Sequence, residues 1–70
     1  MLFNQIRIGQ RFSLEPEDRD GPAVECDVID VNILENGKGL IIVHFNDPLG
    51  TSIAGFENKP LHNFMQFIGD

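Results

Sequence analysis

Apolar residues recur at every second position in two runs, I-D-V-N-I-L from Ile29 and L-I-I-V-H-F from Leu40, separated by E-N-G-K-G. Folding the runs back so that Leu34 faces Leu40 places Ile33 opposite Ile41, Val31 opposite Val43 and Ile29 opposite Phe45. The other face then carries Leu34 with Leu40, Asn32 with Ile42, and Asp30 with His44. Strand side chains alternate faces, so a slip of one residue mismatches every apolar pair. Asn36-Gly37 supplies the left-handed conformations that a tight hairpin turn requires.

The same period continues on either side. Ile6, Ile8, Phe12 and Leu14 fall on even positions and predict a first strand or strand pair over Ile6–Leu14, with Gly9 marking a bend or bulge. Glu15–Pro22 is a polar loop bounded by two prolines. In Ala23–Leu34 the apolar phase changes: Val24, Cys26 and Val28 are even, whereas Ile29, Val31 and Ile33 are odd. One strand with such a change needs a bulge or bend near Val28-Ile29. Leu40–Phe45 reads as a central strand, 46–50 as a turn, and Thr51–Phe56 as a weaker strand. A loop over Glu57–Pro60, one 3₁₀ turn over Pro60–Asn63 and a last strand over Phe64–Ile68 complete the chain. Leu61, Phe64, Met65 and Ile68 also match helical spacing after Pro60, so the alternative is a sheet with a short C-terminal helix.

The element order is that of a small five-stranded, all-β SH3-like barrel. It fills 70 residues as a single domain, 1–70. Architecture of this kind does not specify activity.

Composition narrows the classes. The net charge is −6 and unevenly placed. Glu15, Glu17, Asp18, Asp20, Glu25, Asp27, Asp30 and Glu35 are opposed over that stretch by Arg19 alone. The scattered cations Arg7, Arg11, Arg19, Lys38 and Lys59 form no patch, so neither direct nucleic-acid binding nor an anionic membrane surface is expected. No apolar run approaches a membrane span. Met1–Arg7 has no basic region leading into an apolar core, so no signal peptide is expected. Cys26 is the single cysteine, which excludes an internal disulfide and fits a reducing compartment. Together these point to a cytoplasmic protein.

Candidate chemistry is sparse. Asp30 and His44 face each other in the predicted hairpin, and a carboxylate beside an imidazole can orient a general base. No nucleophile accompanies them, so a structural polar pair is expected. His62, after Pro60, reads as a surface or capping residue. Cys26 is in phase with Val24 and Val28 and has no cation nearby, which suits core packing. The spacing of His44, His62 and Cys26 matches no zinc pattern. Asp18-Arg19-Asp20-Gly21 is no calcium loop, because Pro16 occupies its first ligand position. No metal or cofactor is expected.

Phe45-Asn46-Asp47-Pro48-Leu49-Gly50 resembles a segment of bacterial FKBP-type prolyl isomerases, which would imply isomerase activity. The likeness spans about six residues, and the chain lacks the Tyr and Trp that line that pocket. The same lack argues against a polyproline-binding groove of the SH3 type. Phe12, Phe45, Phe56, Phe64 and Phe67 are expected mostly in the core, with Phe3, Phe64 and Phe67 as candidates for a homo-oligomer interface.

The leading expectation is a non-enzymatic interaction or regulatory module. Its acidic surface from Glu15 to Glu35, with Glu15, Glu17, Asp18, Asp20, Glu25 and Asp27 as the candidate binding residues, would meet a basic protein partner. One alternative is an acidic inhibitor that mimics nucleic acid, which requires Glu25, Asp27 and Asp30 to form a stripe. The other is a small oligomeric enzyme with its site at a symmetry axis.

Overall fold

The computed structural model describes residues 1–16, 21–34 and 39–70. Five strands run antiparallel through one sheet: β1 (Arg11–Leu14), β2 (Val24–Ile33), β3 (Leu40–Asn46), β4 (Ser52–Phe56) and β5 (Met65–Gly69). Their order, β4-β3-β2-β1-β5, is that of an SH3-like barrel, and the sheet curls into a half-barrel with a single 3₁₀ turn, Phe3–Gln5.

The hairpin register holds along most of its length. Asp30 pairs with His44, Val31 with Val43, Asn32 with Ile42 and Ile33 with Ile41, and the Leu34 amide donates to the Leu40 carbonyl at 2.9 Å. The ladder shifts between Val28 and Asp30, at the predicted phase change. Its consequence corrects one pair: Phe45 faces Val28, not Ile29. Ile29 is the additional residue of the bulge and points to solvent at 55% exposure, while Val28 is buried. A bulge absorbs the phase change and bends β2, so that its first half packs with β1 and its second with β3 alone. Ile33, opposite buried Ile41, is 63% exposed, because β1 pairs only with the first half of β2 and leaves this side of it uncovered. The Asn36-Gly37 turn lies outside the described residues.

At the N-terminus the first strand starts later than the period implied. Arg7 to Gln10 is a turn closed by the Gln10 amide on the Arg7 carbonyl, with Gly9 at φ +93°. Ile8 is exposed and outside any strand. Ahead of it, the Phe3–Gln5 turn buries Phe3 and Ile6. Arg7 Nη1 donates to the Asn4 and Ile6 carbonyls, satisfying acceptors that a short turn leaves open.

Phe3 therefore belongs to the core and not to an oligomer interface, and Phe56, expected inside, is 47% exposed. The remaining core is Phe12, Leu14, Cys26, Val28, Ile41, Val43, Phe45, Ile53 and Met65, with Val31, Leu61 and Phe64 packed against it. Phe12 is the hub. Its ring meets Phe45 and Phe67 edge-on at 5.8 and 5.5 Å, contacts worth about 0.5–1.5 kcal/mol each beyond burial.

The C-terminal segment is a strand, not a helix. Leu14 pairs with Met65 and Phe12 with Phe67, with a register shift that sets Ile68 outside the ladder. Pairing with β1 satisfies the backbone of β5 and buries Met65, whereas a helix would leave β1 without a partner on that side. Nor does Pro60–Asn63 form a 3₁₀ turn. Pro60 bridges Leu2, and the tight turn comes later, where the Met65 amide donates to the His62 carbonyl.

β4 and β5 are the two edges of the sheet. Segment 57–64 spans part of the gap between them. The Lys59 amide donates to the Phe56 carbonyl at 3.0 Å, and His62 Nε2 lies 3.0 Å from the Ala54 carbonyl. The Phe3 amide donates to the Lys59 carbonyl and the Leu61 amide to the Met1 carbonyl, so the N-terminus locks this closure. Among the described residues, no helix is long and apolar enough to cross a membrane.

Candidate functional site: a carboxylate-rimmed groove

The closure just described lies at the hairpin end of the seam, and a groove of about 530 Å³ remains there between β4 and segment 59–63, with Lys59 and His62 in its lining. At the opposite end, where the long loop after β1 meets the turn between β3 and β4, a groove of about 580 Å³ remains. Its floor is apolar: Leu14 and Val24 from the ends of β1 and β2, Ile53 from β4, Phe64 from the approach to β5, and Leu49 from the turn. A smaller groove of about 360 Å³ adjoins it, sharing Pro16, Val24, Asp47 and Leu49. Glu15 and Asp47 are the acidic residues of the lining, and no Lys, Arg or His lines either groove among the described residues.

The turn sets Asp47. Pro48 follows it with a φ suited to the second position of a tight turn, the Gly50 amide donates to the Asp47 carbonyl, and Gly50 adopts φ +64°. The Asp47 carboxylate then accepts the Thr51 amide at 2.7 Å and the Thr51 hydroxyl. Desolvation raises its pKa, but these bonds, with further ones from the Gly50 and Leu49 amides, outweigh it and hold the carboxyl below its ordinary value. Asp47 thus presents a fixed negative charge at neutral pH. The Asp-Pro-Leu-Gly-Thr order carried that information as a side chain closing its own turn; only the curl of the sheet reveals that the turn borders a groove.

The sequence-derived acidic residues divide into separate groups. Glu15 leads out of β1 onto the groove. Glu25 and Asp27 lie exposed on the outer face of β2, where Arg11 Nη2 meets Glu25 at 3.1 Å and Arg11 Nε meets Asp27 at 3.3 Å. The register that sets Arg11 opposite Asp27 delivers the cation between them. Exposed pairs of this type contribute up to about 1 kcal/mol and lower the local negative field. Glu17, Asp18 and Asp20 lie outside the described residues.

Asp30 and His44 share a rung, as expected, and the next strand adds Ser52 to it. The imidazole bonds Ser52, with Nδ1 2.8 Å from the hydroxyl. The Asp30 carboxylate accepts its own strand's Val31 amide at 2.9 Å and Asn32 Nδ2 at 3.3 Å. The sequence pattern does not reveal Ser52, because the β3–β4 register depends on the turn between them. The row lies on the outer face of the sheet, and neither Asp30 nor His44 lines the groove. A Ser–His pair acquires acyl-transfer chemistry when donors for an oxyanion and a substrate cavity surround it.

His62 stacks on Phe64 at 5.3 Å and meets Phe3 edge-on at 5.1 Å, a cap on the sheet edge. Cys26 is buried beside its cross-strand partner Phe12, its thiol 3.7 Å from the Phe12 carbonyl. Burial first, and the charges of Asp47 and Asp27 next, raise its pKa to about 11. Among the described residues no group of three or more acidic, His or Cys side chains is placed to hold a metal.

No family model, curated protein or solved structure gives a significant match to this chain.

Proposed function

We propose that this chain is a non-enzymatic interaction module that presents the groove between the long loop and the β3–β4 turn to a basic protein partner. One observation carries the reading: the apolar floor of the groove is edged by Glu15 and the ionised Asp47, with no compensating cation among its described lining residues. Apolar floors supply affinity, and a single-sign rim supplies orientation and on-rate. Glu25 and Asp27 share Arg11, which offsets part of their charge, whereas no described cation pairs with Glu15 or Asp47 in the groove. The test is affinity capture from the source cells, followed by affinity measurement with the captured protein. Glu15→Lys should weaken a partner at least about tenfold, equivalent to about 1.4 kcal/mol, while Glu25→Lys leaves it bound. Equal binding by all three forms overturns the reading.

A second reading has its own observation. Glu25, Asp27 and Asp30 are all exposed along β2, the layout that a mimic of nucleic-acid phosphates needs. It requires Glu25→Lys and Asp30→Lys, not Glu15→Lys, to abolish competition with DNA or RNA for a partner.

A further inference from the structure

Resting on the interaction reading above, the structure assigns the occupant of the groove a form: an extended, basic segment of the partner that pairs with the free edge of β4 as an added strand. The hydrogen-bond phase of β4 decides this. The Phe45 amide donates to the Thr51 carbonyl and the Glu57 amide to the Gly39 carbonyl. In an antiparallel ladder bonded and non-bonded pairs alternate, so Thr51, Ile53, Gly55 and Glu57 turn their backbone groups toward β3. Ser52, Ala54 and Phe56 turn theirs outward.

At the hairpin end the carbonyls of that outward row are occupied. The Phe56 carbonyl takes the Lys59 amide, and the Ala54 carbonyl takes His62 Nε2. Ser52 differs: its carbonyl as well as its amide has no partner among the described residues, and it lines the groove. An edge strand with unmatched donors and acceptors is a template for pairing. Segment 57–62 covers this edge and stops short of Ser52, so the edge is open where the groove is.

Alternation in the added strand supplies the rest of the recognition. Residues facing inward meet Ile53, Leu14 and Phe64, which asks for aliphatic side chains. Flanking positions approach Glu15 and Asp47, which asks for Lys or Arg. Main-chain bonds then give affinity and the alternate pockets give specificity, as in other strand-addition complexes.

The test uses a short peptide of alternating lysine and valine, its glutamate-valine counterpart, and a lysine-valine peptide N-methylated along one edge. Titration into the full chain is followed by amide chemical shifts and hydrogen exchange. The lysine-valine peptide should shift the Ser52 amide and slow its exchange at least about tenfold. The N-methylated and glutamate peptides should bind at least about tenfold more weakly. Binding of the N-methylated peptide at equal strength, with the Ser52 amide unmoved, overturns strand addition while leaving a charge-steered groove intact. Failure of all three peptides, while the captured partner still depends on Glu15, overturns the extended-segment form alone. A Ser52 shift that grows with protein concentration without peptide makes the occupant a second copy of this chain and overturns the basic-peptide assignment.

Discussion

The ring of Phe3 lies against the backbone of Gly55, in the space that a side chain there would fill. A Cβ at Gly55 would stand 2.3 Å from Phe3 Cε2, well inside van der Waals contact. Gly55 is on the inner face of β4, opposite Ile41, so its missing side chain is replaced by an aromatic ring from the N-terminus. The half-barrel is closed at that end by a residue more than fifty positions away.

Gly55→Ala is accordingly expected to destabilise the fold by about 1–3 kcal/mol, the usual range for overpacking. Phe3→Ala is expected to cost about 3–5 kcal/mol through the cavity it leaves. The double variant should lose clearly less than the sum, since removing the ring makes room for the methyl. Denaturant midpoints of the four proteins measure the coupling, and strict additivity would disprove the contact.

The bulge makes neighbouring residues respond oppositely. Ile29→Ser removes an exposed side chain and should change stability by no more than about 0.5 kcal/mol. Val28→Ala removes buried methyls and should cost about 1.5–3 kcal/mol. The reverse ranking in thermal or chemical unfolding would mean that Ile29, not Val28, faces Phe45.

Asp47 links stability to acid. Its folded pKa lies below the ordinary value of 3.8 because of the bonds from Thr51, Gly50 and Leu49. A depressed carboxylate contributes stability that is fully present above the unfolded pKa and lost as pH falls through the folded one. Wild type should therefore exceed Asp47→Asn in stability at neutral pH, and the difference should shrink as pH falls below about 4. Urea unfolding at pH 7 and at pH 2.5 tests this; a pH-independent difference would assign the effect to turn geometry alone.

For Cys26 the sign is reversed. Its folded pKa of about 11 stands above the ordinary 9.0, so its contribution is intact below pH 9 and declines as pH rises toward 11. The buried thiol should resist a thiol-reactive dye at neutral pH and label fully in denaturant. Rapid native-state labelling would show that the core opens more readily than this packing implies.

How much of this was legible beforehand can be read from two stretches. The hairpin register from Asp30 to Ile33 and the bulge at Val28-Ile29 both follow from the phase of apolar residues, because alternation is a local property. The Phe45 partner did not follow, since phase alone does not say which of two adjacent apolar residues a bulge expels. The same limit applies to Met1–Gln5 and Pro60–Ile68. Short apolar segments fit a strand, a turn or a helix equally, and the edge of β1 decided in favour of the β5 strand.

The candidate site shows the division most clearly. Acidic residues between Glu15 and Glu35 are plain in the chain, yet they read as one surface. By itself the sequence determined the all-β fold class, the phase of its strands and the net negative charge, because each depends on residue type and near spacing. Only the tertiary structure decided that Arg11 pairs with both Glu25 and Asp27, that Phe3 fills the space above Gly55, and that Glu15 and Asp47 line one groove. Those relationships depend on how far the sheet curls, and that curl is set by packing between residues distant in the chain.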